Sequence, residues 1–328
     1  MSSFQALRVN KAEEGFTLAV EERDIADLPA GDVLVRVEYS SLNYKDALSA
    51  SGNPGVTREF PHTPGIDAAG VVEASDDELF RAGDAVIVTG YDLGMNTAGG
   101  LAQYIRVPAD WVVPMPSGLN SRECMIIGTA GLTAALCLVK LERAGLQEGG
   151  RVVVSGASGG VGSFAVALLA QSGYVPVAST GSPDAAEWLT SLGAAEIVDR
   201  AVLAQASQRP MLKPTWDGAI DTVGGETLAN IIKGLNYGSS VAAVGLVGSV
   251  DIPVTVFPFI LRDVNLLGVD SVEISHGRRV DCWGRLAADW KLGNLEALAD
   301  EVSLAQVPAK LEGLLAGSVR GRTLVKLD

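Results

Sequence analysis

One run of residues carries the clearest chemical signal: Val152-Val153-Val154-Ser155-Gly156-Ala157-Ser158-Gly159-Gly160-Val161-Gly162-Ser163, continuing as Phe164-Ala165-Val166-Ala167-Leu168-Leu169-Ala170. A β-branched run ends in a glycine-rich turn, and a helical run follows. Strand, tight turn and helix open a βαβ unit that suits a dinucleotide pyrophosphate. Glycines let the backbone approach the phosphates, and the free N–H groups at the helix start face the negative charge. The strict G-x-G-x-x-G pattern is not met, because Ala157 stands at its first position. The same residues also fit G-x-S-x-G, the nucleophile elbow of α/β-hydrolases, with Ser158 as nucleophile. That reading needs an acid and a histidine further on, and Asp221 and His276 are the residues on offer. A third reading is a glycine turn that binds nothing.

The residues past the turn bear on which dinucleotide would bind. An NAD site usually places Asp or Glu about 20 residues on, at the end of the second strand, to hold the ribose 2′-OH. Here that end reads Ser179-Thr180-Gly181-Ser182. No carboxylate is present to repel a 2′-phosphate, and the hydroxyls and backbone N–H groups of Thr180, Gly181 and Ser182 can bind one. Arg200, after the third strand, is the candidate cation. These residues favour NADPH over NADH.

These residues must be positioned by a larger framework. Residues 1–123 read as β-rich, with strands expected at Val33–Tyr39, Ala69–Glu73 and Ala85–Thr89 among frequent turn signals, as in a barrel-like domain. A helix is expected from Ser121 to Lys140, broken near Gly128–Gly131. Strands and helices then alternate. After the glycine-loop strand come Tyr174–Ser179, Glu196–Asp199, Gly218–Gly224, Ser240–Gly245 and Val264–Val269, with a helix over Asp184–Leu192. Six such strands fit a doubly wound parallel sheet of the Rossmann type. The expected α/β organisation is a nucleotide-binding domain at 124–268 inserted in a β-rich domain made of 1–123 and 269–328.

Length and composition agree. A chain of 328 residues suits about two domains. The net charge of −14, without a basic block, argues against nucleic acid and against an anionic membrane surface. Cys124, Cys137 and Cys282 fit buried thiols better than a disulfide frame. Met1-Ser2-Ser3-Phe4-Gln5 lacks a basic or apolar leader pattern, and no stretch approaches about 18 consecutive apolar residues. A cytoplasmic protein is the expectation.

Several stretches together resemble the medium-chain dehydrogenase/reductase superfamily over the whole chain: Ser40-Ser41-Leu42-Asn43-Tyr44-Lys45-Asp46, Pro64 to Gly70, Gly99 to Tyr104, and the glycine loop. Within it, Met125 to Gly131, Ala219 to Gly224, Pro258 to Arg262 and Leu267 to Val272 resemble the zinc-free YhdH/AcuI group of acryloyl-CoA reductases. The resemblance implies a GroES-like catalytic domain around the Rossmann domain. It also implies cofactor contacts at Tyr44, at Ser158, Gly159, Gly160 and Val161 of the glycine loop, which runs on to Gly162, at Arg200, Leu246, Ile260 and Ser271, and at Gly317. The alcohol dehydrogenase branch takes zinc ligands from a Cys-x-x-Asp and a Gly-His-Glu segment. The corresponding segments here read Asn43-Tyr44-Lys45-Asp46 and Gly65-Ile66-Asp67, so two of the roughly three ligands a catalytic zinc needs are lost. His62 reads as a local hydrogen-bonding residue, and no metal is expected.

The implied activity is NADPH-dependent reduction of a C=C bond, with hydride delivered to the β-carbon of a small CoA thioester and the developing enolate met by hydrogen-bond donors. Tyr44, with Asn43 beside it, is the catalytic candidate. Tyr44 could stack on the nicotinamide, donate to the substrate carbonyl, or fill space. Asp67 reads as a structural acceptor rather than a base. Arg278-Arg279 and Arg320-Arg322 are the candidates for a patch facing the CoA phosphates, against the plain reading of solvated surface charge. A quinone or general enone reductase, and an NADPH-binding protein with little catalysis, remain as alternatives. A homodimer is expected too. In this superfamily the sixth strand lies at the sheet edge, and Ile252–Val269 carries Val254, Val256, Phe257, Phe259, Ile260, Leu261, Leu266 and Leu267.

Overall fold

The computed structural model describes residues 3–327. Met1 and Ser2, part of the start read for a leader, lie outside the described residues, as does Asp328. In chain order the strands are β1 (Ser3–Lys11), β2 (Phe16–Asp24), β3 (Val33–Ser41), β4 (Asp67–Ser75), β5 (Ala85–Thr89), β6 (Tyr104–Val107), β7 (Val112–Pro114), β8 (Arg151–Val154), β9 (Val175–Thr180), β10 (Glu196–Asp199), β11 (Trp216–Asp221), β12 (Leu235–Ala243), β13 (Asn265–Gly268), β14 (Ala299–Ser303) and β15 (Arg322–Lys326). The helices are α1 (Tyr44–Ala50), α2 (Ser121–Arg143), α3 (Gly160–Gln171), α4 (Ala186–Ser191), α5 (Arg200–Ala204), α6 (Gly225–Gly234), α7 (Phe257–Arg262), α8 (His276–Ala287) and α9 (Val307–Leu315).

The chain divides into two compact units. The first holds residues 1–129, 272–289 and 294–328. Its main sheet has the order β14-β15-β3-β4-β5-β7, with β6 also on β3, and β1 and β2 form a separate antiparallel pair. The alternation read in β3 is real: Val33, Val35 and Val37 enter the core with Val72, Val86, Val88 and Ile105. Strands β3 and β4 pass so closely that a Cβ on Gly70 would lie 2.0 Å from the Arg36 carbonyl oxygen.

The second unit holds residues 130–271 and 290–293. Its sheet has the order β10-β9-β8-β11-β12-β13, and every pairing in it is parallel. Val152, Val153 and Val154 of the central strand β8 are fully buried, as expected of a strand covered on both faces. The order reverses between β8 and β11, the switch point where ligands bind in such sheets.

The boundaries differ from 123/124 and 268/269. The first turns of α2 belong to the β-rich unit, since Ile126 and Thr129 are tied to it by side chains described below. At the other end Ser271 belongs to the nucleotide-binding unit, where its hydroxyl accepts from Thr133 Oγ1 at 2.9 Å. Helix α2 runs from Ser121 to Arg143 with a break at Gly128 (φ 50°, ψ −161°), inside the interruption expected at Gly128–Gly131. It is long and apolar enough to cross a membrane by length and composition alone, and 89% of its most apolar stretch is buried inside the protein. The three cysteines are buried and none is in a disulfide.

Candidate cofactor and active site

In the nucleotide-binding unit most of the residues singled out in the sequence lie at the carboxyl ends of the parallel strands or just beyond them, while Ile260 lies on α7, ahead of β13. The glycine loop follows β8. Helix α3 starts at Gly160 behind Gly159, and no side chain caps it, so its first-turn amides are left for a ligand. Gly162 is required for packing: a Cβ there would lie 2.3 Å from the Gly156 carbonyl oxygen. Ser158 and Thr180 meet across β8 and β9, with Thr180 Oγ1 donating to Ser158 Oγ at 3.1 Å, and the Ser182 amide donates to Thr180 Oγ1 at 3.1 Å. Arg200 opens α5 directly after β10, whose Asp199 is in register with Thr180. Its side chain lies over Gly181, where an added Cβ would fall 2.4 Å from Arg200 Nε. Hydroxyls, a backbone amide and one guanidinium therefore gather at the end of β9, a donor set that suits a phosphate. Leu246 follows β12 and Ile260 lies on α7, both with exposed side chains, and Ser271 follows β13.

A clamp that the sequence reading used only for the hydrolase alternative holds the glycine loop in place. Asp221, buried at the end of β11, accepts from Ser155 Oγ at 2.7 Å and from the Gly224 amide at 2.7 Å. Ser155 Oγ in turn accepts the Thr222 amide at 2.9 Å. Burial raises the Asp221 pKa, and the hydrogen bond from Ser155 opposes that rise. Asp221 is thus spent on the strand ends rather than on a histidine. His276 belongs to the other unit, with Nδ1 3.2 Å from the Asp110 carbonyl oxygen. The nucleophile-elbow reading loses its acid.

In the β-rich unit, Tyr44 opens α1 and is 37% exposed. Asn43, just before it, is committed to protein partners. Its Nδ2 donates to Asp67 Oδ2 at 2.8 Å and to the Ser41 carbonyl at 3.3 Å, while its Oδ1 accepts Arg322 Nη1 at 3.3 Å. With both functions of its amide engaged, Asn43 positions the chain entering α1 rather than meeting a substrate. Asp67 is the hub: its carboxylate accepts Ser41 Oγ at 2.7 Å, Thr129 Oγ1 at 2.6 Å and the Thr129 amide at 3.0 Å. Asp67 and Arg322 form a buried ion pair at 3.6 Å.

Arg322 also donates to the carbonyls of Leu42 and Ile126, each at 3.1 Å, and to Ser41 Oγ at 2.8 Å. Its partner in α2, the Ile126 carbonyl, lies two residues before the break at Gly128. A Cβ at Gly128 would lie 2.6 Å from Arg322 Nη2 and 2.7 Å from Asp67 Oδ2, so this position must stay bare. Asp46, also buried, accepts the amides of Asn43, Gly65 and Ile66 at 2.7, 3.1 and 2.9 Å. Burial, and then the charge of Asp67, push its pKa up to about 7 against the hydrogen bonds from Asn43 and Ile66.

This donor set does not suit a metal. Asn43 turns an amide nitrogen toward Asp67, Ile66 offers no ligand atom, and both carboxylates already hold N–H, O–H or guanidinium donors. The cation at this place is Arg322. His62 is buried with Nε2 3.0 Å from the Gly94 carbonyl oxygen, a local bond as expected.

Two expectations for the phosphate patch fail. Arg279 is fully buried, with its guanidinium 4.5 Å from the Tyr91 ring centroid and bonded to Thr89 Oγ1 and the Val272 carbonyl. Arg322 is buried in the network above. An arginine pair in sequence does not reveal which member turns inward, so only Arg278 and Arg320 stay exposed. Gly317 ends α9 in the β-rich unit with φ +67° and an exposed backbone.

Comparison with known proteins agrees with this architecture. Residues 29–117 match the alcohol dehydrogenase GroES-like domain and residues 160–280 match the zinc-binding dehydrogenase domain. The chain is 47% identical over 328 residues to the acrylyl-CoA reductase AcuI of Ruegeria pomeroyi, covering 99% of each chain. The crystal structure of the yhdH oxidoreductase from Salmonella enterica in complex with NADP superposes with a TM-score of 0.96 at 48% identity, over 99% of this chain and 100% of that one. The yhfP protein of Bacillus subtilis with NAD bound also superposes at 0.96, with 44% identity over 100% of both chains. With a glycine-loop Rossmann unit, a GroES-like unit and full-length relatives at this identity, the chain belongs to the medium-chain dehydrogenase/reductase family, in the group that contains the acrylyl-CoA reductases AcuI and YhdH.

Proposed function

We propose that this protein is an NADPH-dependent acrylyl-CoA reductase, converting the C=C bond of acrylyl-CoA to the saturated bond of propionyl-CoA. The observation that carries the cofactor half is the carboxylate-free end of β9 with Arg200 laid over Gly181. NADPH, when bound, would supply the hydride taken up by the β-carbon of the thioester, leaving NADP+, and a proton added at the α-carbon completes the saturated bond. The amides of Gly160, Val161 and Gly162, with Ser158 and Gly159, hold the pyrophosphate, and Thr180, Gly181, Ser182 and Arg200 hold the 2′-phosphate. Tyr44, Leu246, Ile260, Ser271 and Gly317 are further cofactor contacts on this reading. Negative charge develops on the thioester oxygen, and the Tyr44 phenol is the donor proposed for it. Asn43, locked by Asp67 and Arg322, fixes the approach to Tyr44. No step passes through a metal.

We further propose a cytoplasmic homodimer. Strand β13 ends the six-stranded sheet. Beside it Val256, Phe257, Ile260, Leu261 and Leu266 are exposed, an apolar surface that pairing of two edges would cover. Ile252, Val254 and Phe259 pack onto the unit's own core instead.

The test is NADPH oxidation across a panel of enoyl-CoAs and benzoquinones. Acrylyl-CoA is expected to be turned over with the highest kcat/KM. Preference for a quinone would move the assignment to a quinone reductase, and tight NADPH binding without any turnover would leave a binding protein.

A further inference from the structure

The β-rich unit holds a strained aromatic side chain to which the sites described above give no role. Tyr91 has φ 52°, and Gly90 before it has φ 77°. A positive φ on a bulky aromatic residue is costly and persists only where the surroundings hold it. Three contacts do so here. The Tyr91 amide donates to the Val272 carbonyl at 3.1 Å. The ring stacks on Trp111, with centroids 5.5 Å apart and planes 4° from parallel. The Arg279 guanidinium lies 4.5 Å from the ring centroid. Arg279 is fully buried and bonded to Thr89 Oγ1 and the Val272 carbonyl, so this cation is itself fixed. The outer end of Tyr91 is open. The residue is half-buried, and its hydroxyl is accessible, with no hydrogen-bond partner among the described residues.

Strand register puts this side chain on the rim that also carries Tyr44. Ser41 at the end of β3 bonds Asp67 at the start of β4, and Asp67 is in register with Thr89 at the end of β5. Beyond this row β3 runs on into Asn43 and Tyr44, and β5 runs on into Gly90 and Tyr91. The Gly90 amide donates to the Ile66 carbonyl at 3.2 Å, which extends the pairing to the rim. Strands β3 and β5 flank β4, two strand spacings or about 10 Å apart. The two tyrosines therefore follow the strands on either side of Ile66 and Asp67. Val272, which holds the Tyr91 amide, directly follows Ser271 in the chain, a proposed cofactor contact.

We infer that Tyr91 is a specificity-determining residue, whose fixed ring is the wall against which the acyl chain ends, so that the site takes a three-carbon enoyl group and turns longer ones away. The inference rests on the reductase reading and adds to it the residue that limits acyl length. With the thioester oxygen at Tyr44, a chain directed across Ile66 ends at Tyr91. A side chain able to swing aside would make room for further carbons. One locked by Trp111, Arg279 and Val272 does not, and a longer chain must then give up its place beside the hydride donor.

The test is kcat/KM of the full-length protein with NADPH for acrylyl-CoA, but-2-enoyl-CoA and hex-2-enoyl-CoA. The parent should favour acrylyl-CoA over but-2-enoyl-CoA by roughly tenfold or more, the scale of one added carbon in a pocket that does not yield. Tyr91→Gly suits the backbone at this position and removes the wall, so it should lower that preference by roughly tenfold. Tyr91→Asn, which also tolerates a left-handed backbone, should lower it in the same direction. Tyr91→Phe keeps the ring and should keep the parent's preference. Tm and NADPH affinity of each variant report whether the fold and the cofactor site are intact. Turnover of acrylyl-CoA by the parent tests the reductase reading, and the change in preference tests the wall, so the two fail separately. The inference is overturned if the parent reduces but-2-enoyl-CoA as well as acrylyl-CoA. It is also overturned if the Gly and Asn variants bind NADPH and keep the parent's preference, or if Tyr91→Phe shifts the preference as far as they do.

Discussion

At the scale of single residues, the cofactor preference rests on what is missing at the end of β9 and on one arginine. Thr180→Asp would place a carboxylate where the 2′-phosphate is proposed to bind, and it should reverse the preference from NADPH to NADH. Measured Kd values for both cofactors check this, and equal affinities in the unmodified protein would refute it. Arg200→Ala should weaken NADPH roughly tenfold, the scale of one charge-assisted hydrogen bond at about 1.5 kcal/mol. NADH affinity should be unmoved by that change. Asp46 makes a second prediction. Its pKa rises on folding from 3.8 to about 7, so between those values the folded state binds more protons than the unfolded one. Its contribution to stability is full below about 3.8 and is lost as pH rises through about 7. Asp46→Asn should remove this falling component. Denaturant melts of both proteins from pH 4 to 8 should show the parent losing stability relative to the variant as pH rises, and a constant difference would count against the argument.

Among the elements, the packing of α3 on β8 is the most exacting. Gly162 lets the first turn of α3 rest on the Gly156 carbonyl, and Ser155 with Asp221 ties the ends of β8 and β11. Gly162→Ala should destabilise the protein by about 1–3 kcal/mol, the usual cost of overpacking, and should weaken cofactor binding as the turn opens. Urea melts and NADPH titration of the same variant measure the two effects. Much of this unit was legible from local pattern, because β-branched runs ending at glycine turns need no distant partner to be read. The β1–β2 pair, α1 and α8 were not read. The residues of β2 are exposed or half-buried, and α1 has only seven residues. Neither leaves a clean periodic trace.

For the molecule as a whole, assembly and metal content are the properties to measure. Phe257→Asp, on the exposed apolar surface beside β13, should shift the protein from dimer to monomer by light scattering at micromolar concentration. Phe259, packed on its own core, is a poor probe by comparison. Because Ile260 in the same segment is a proposed cofactor contact, the monomeric variant should also bind NADPH more weakly. A monomeric mass for the unmodified protein would refute the dimer. Exhaustive chelation should leave NADPH-dependent turnover intact. Stoichiometric zinc lost together with activity would overturn the assignment of Arg322 as the cation beside Asp67.

The sequence by itself determined the strand, glycine turn and helix around Gly159, the lack of a carboxylate after β9, and the alternation of strands and helices, whereas the zinc ligands missing at Asn43 and Ile66 were legible only through the family resemblance. The first three are written in neighbouring residues, whose spacing alone sets turn geometry and strand period. Only the tertiary structure decided the fate of the charges. Arg322 and Arg279 are arginines near basic neighbours, read as surface charge facing phosphates, yet each is buried against acceptors more than a hundred residues away, at Ile126 and Thr89. Asp67, Asn43 and Thr129 come from three separate elements and meet only when β4, the turn before α1 and the broken helix α2 pack together. A buried ion pair is defined by its surroundings. Desolvation and the set of available donors arise from packing across the chain, and no local window of sequence contains them.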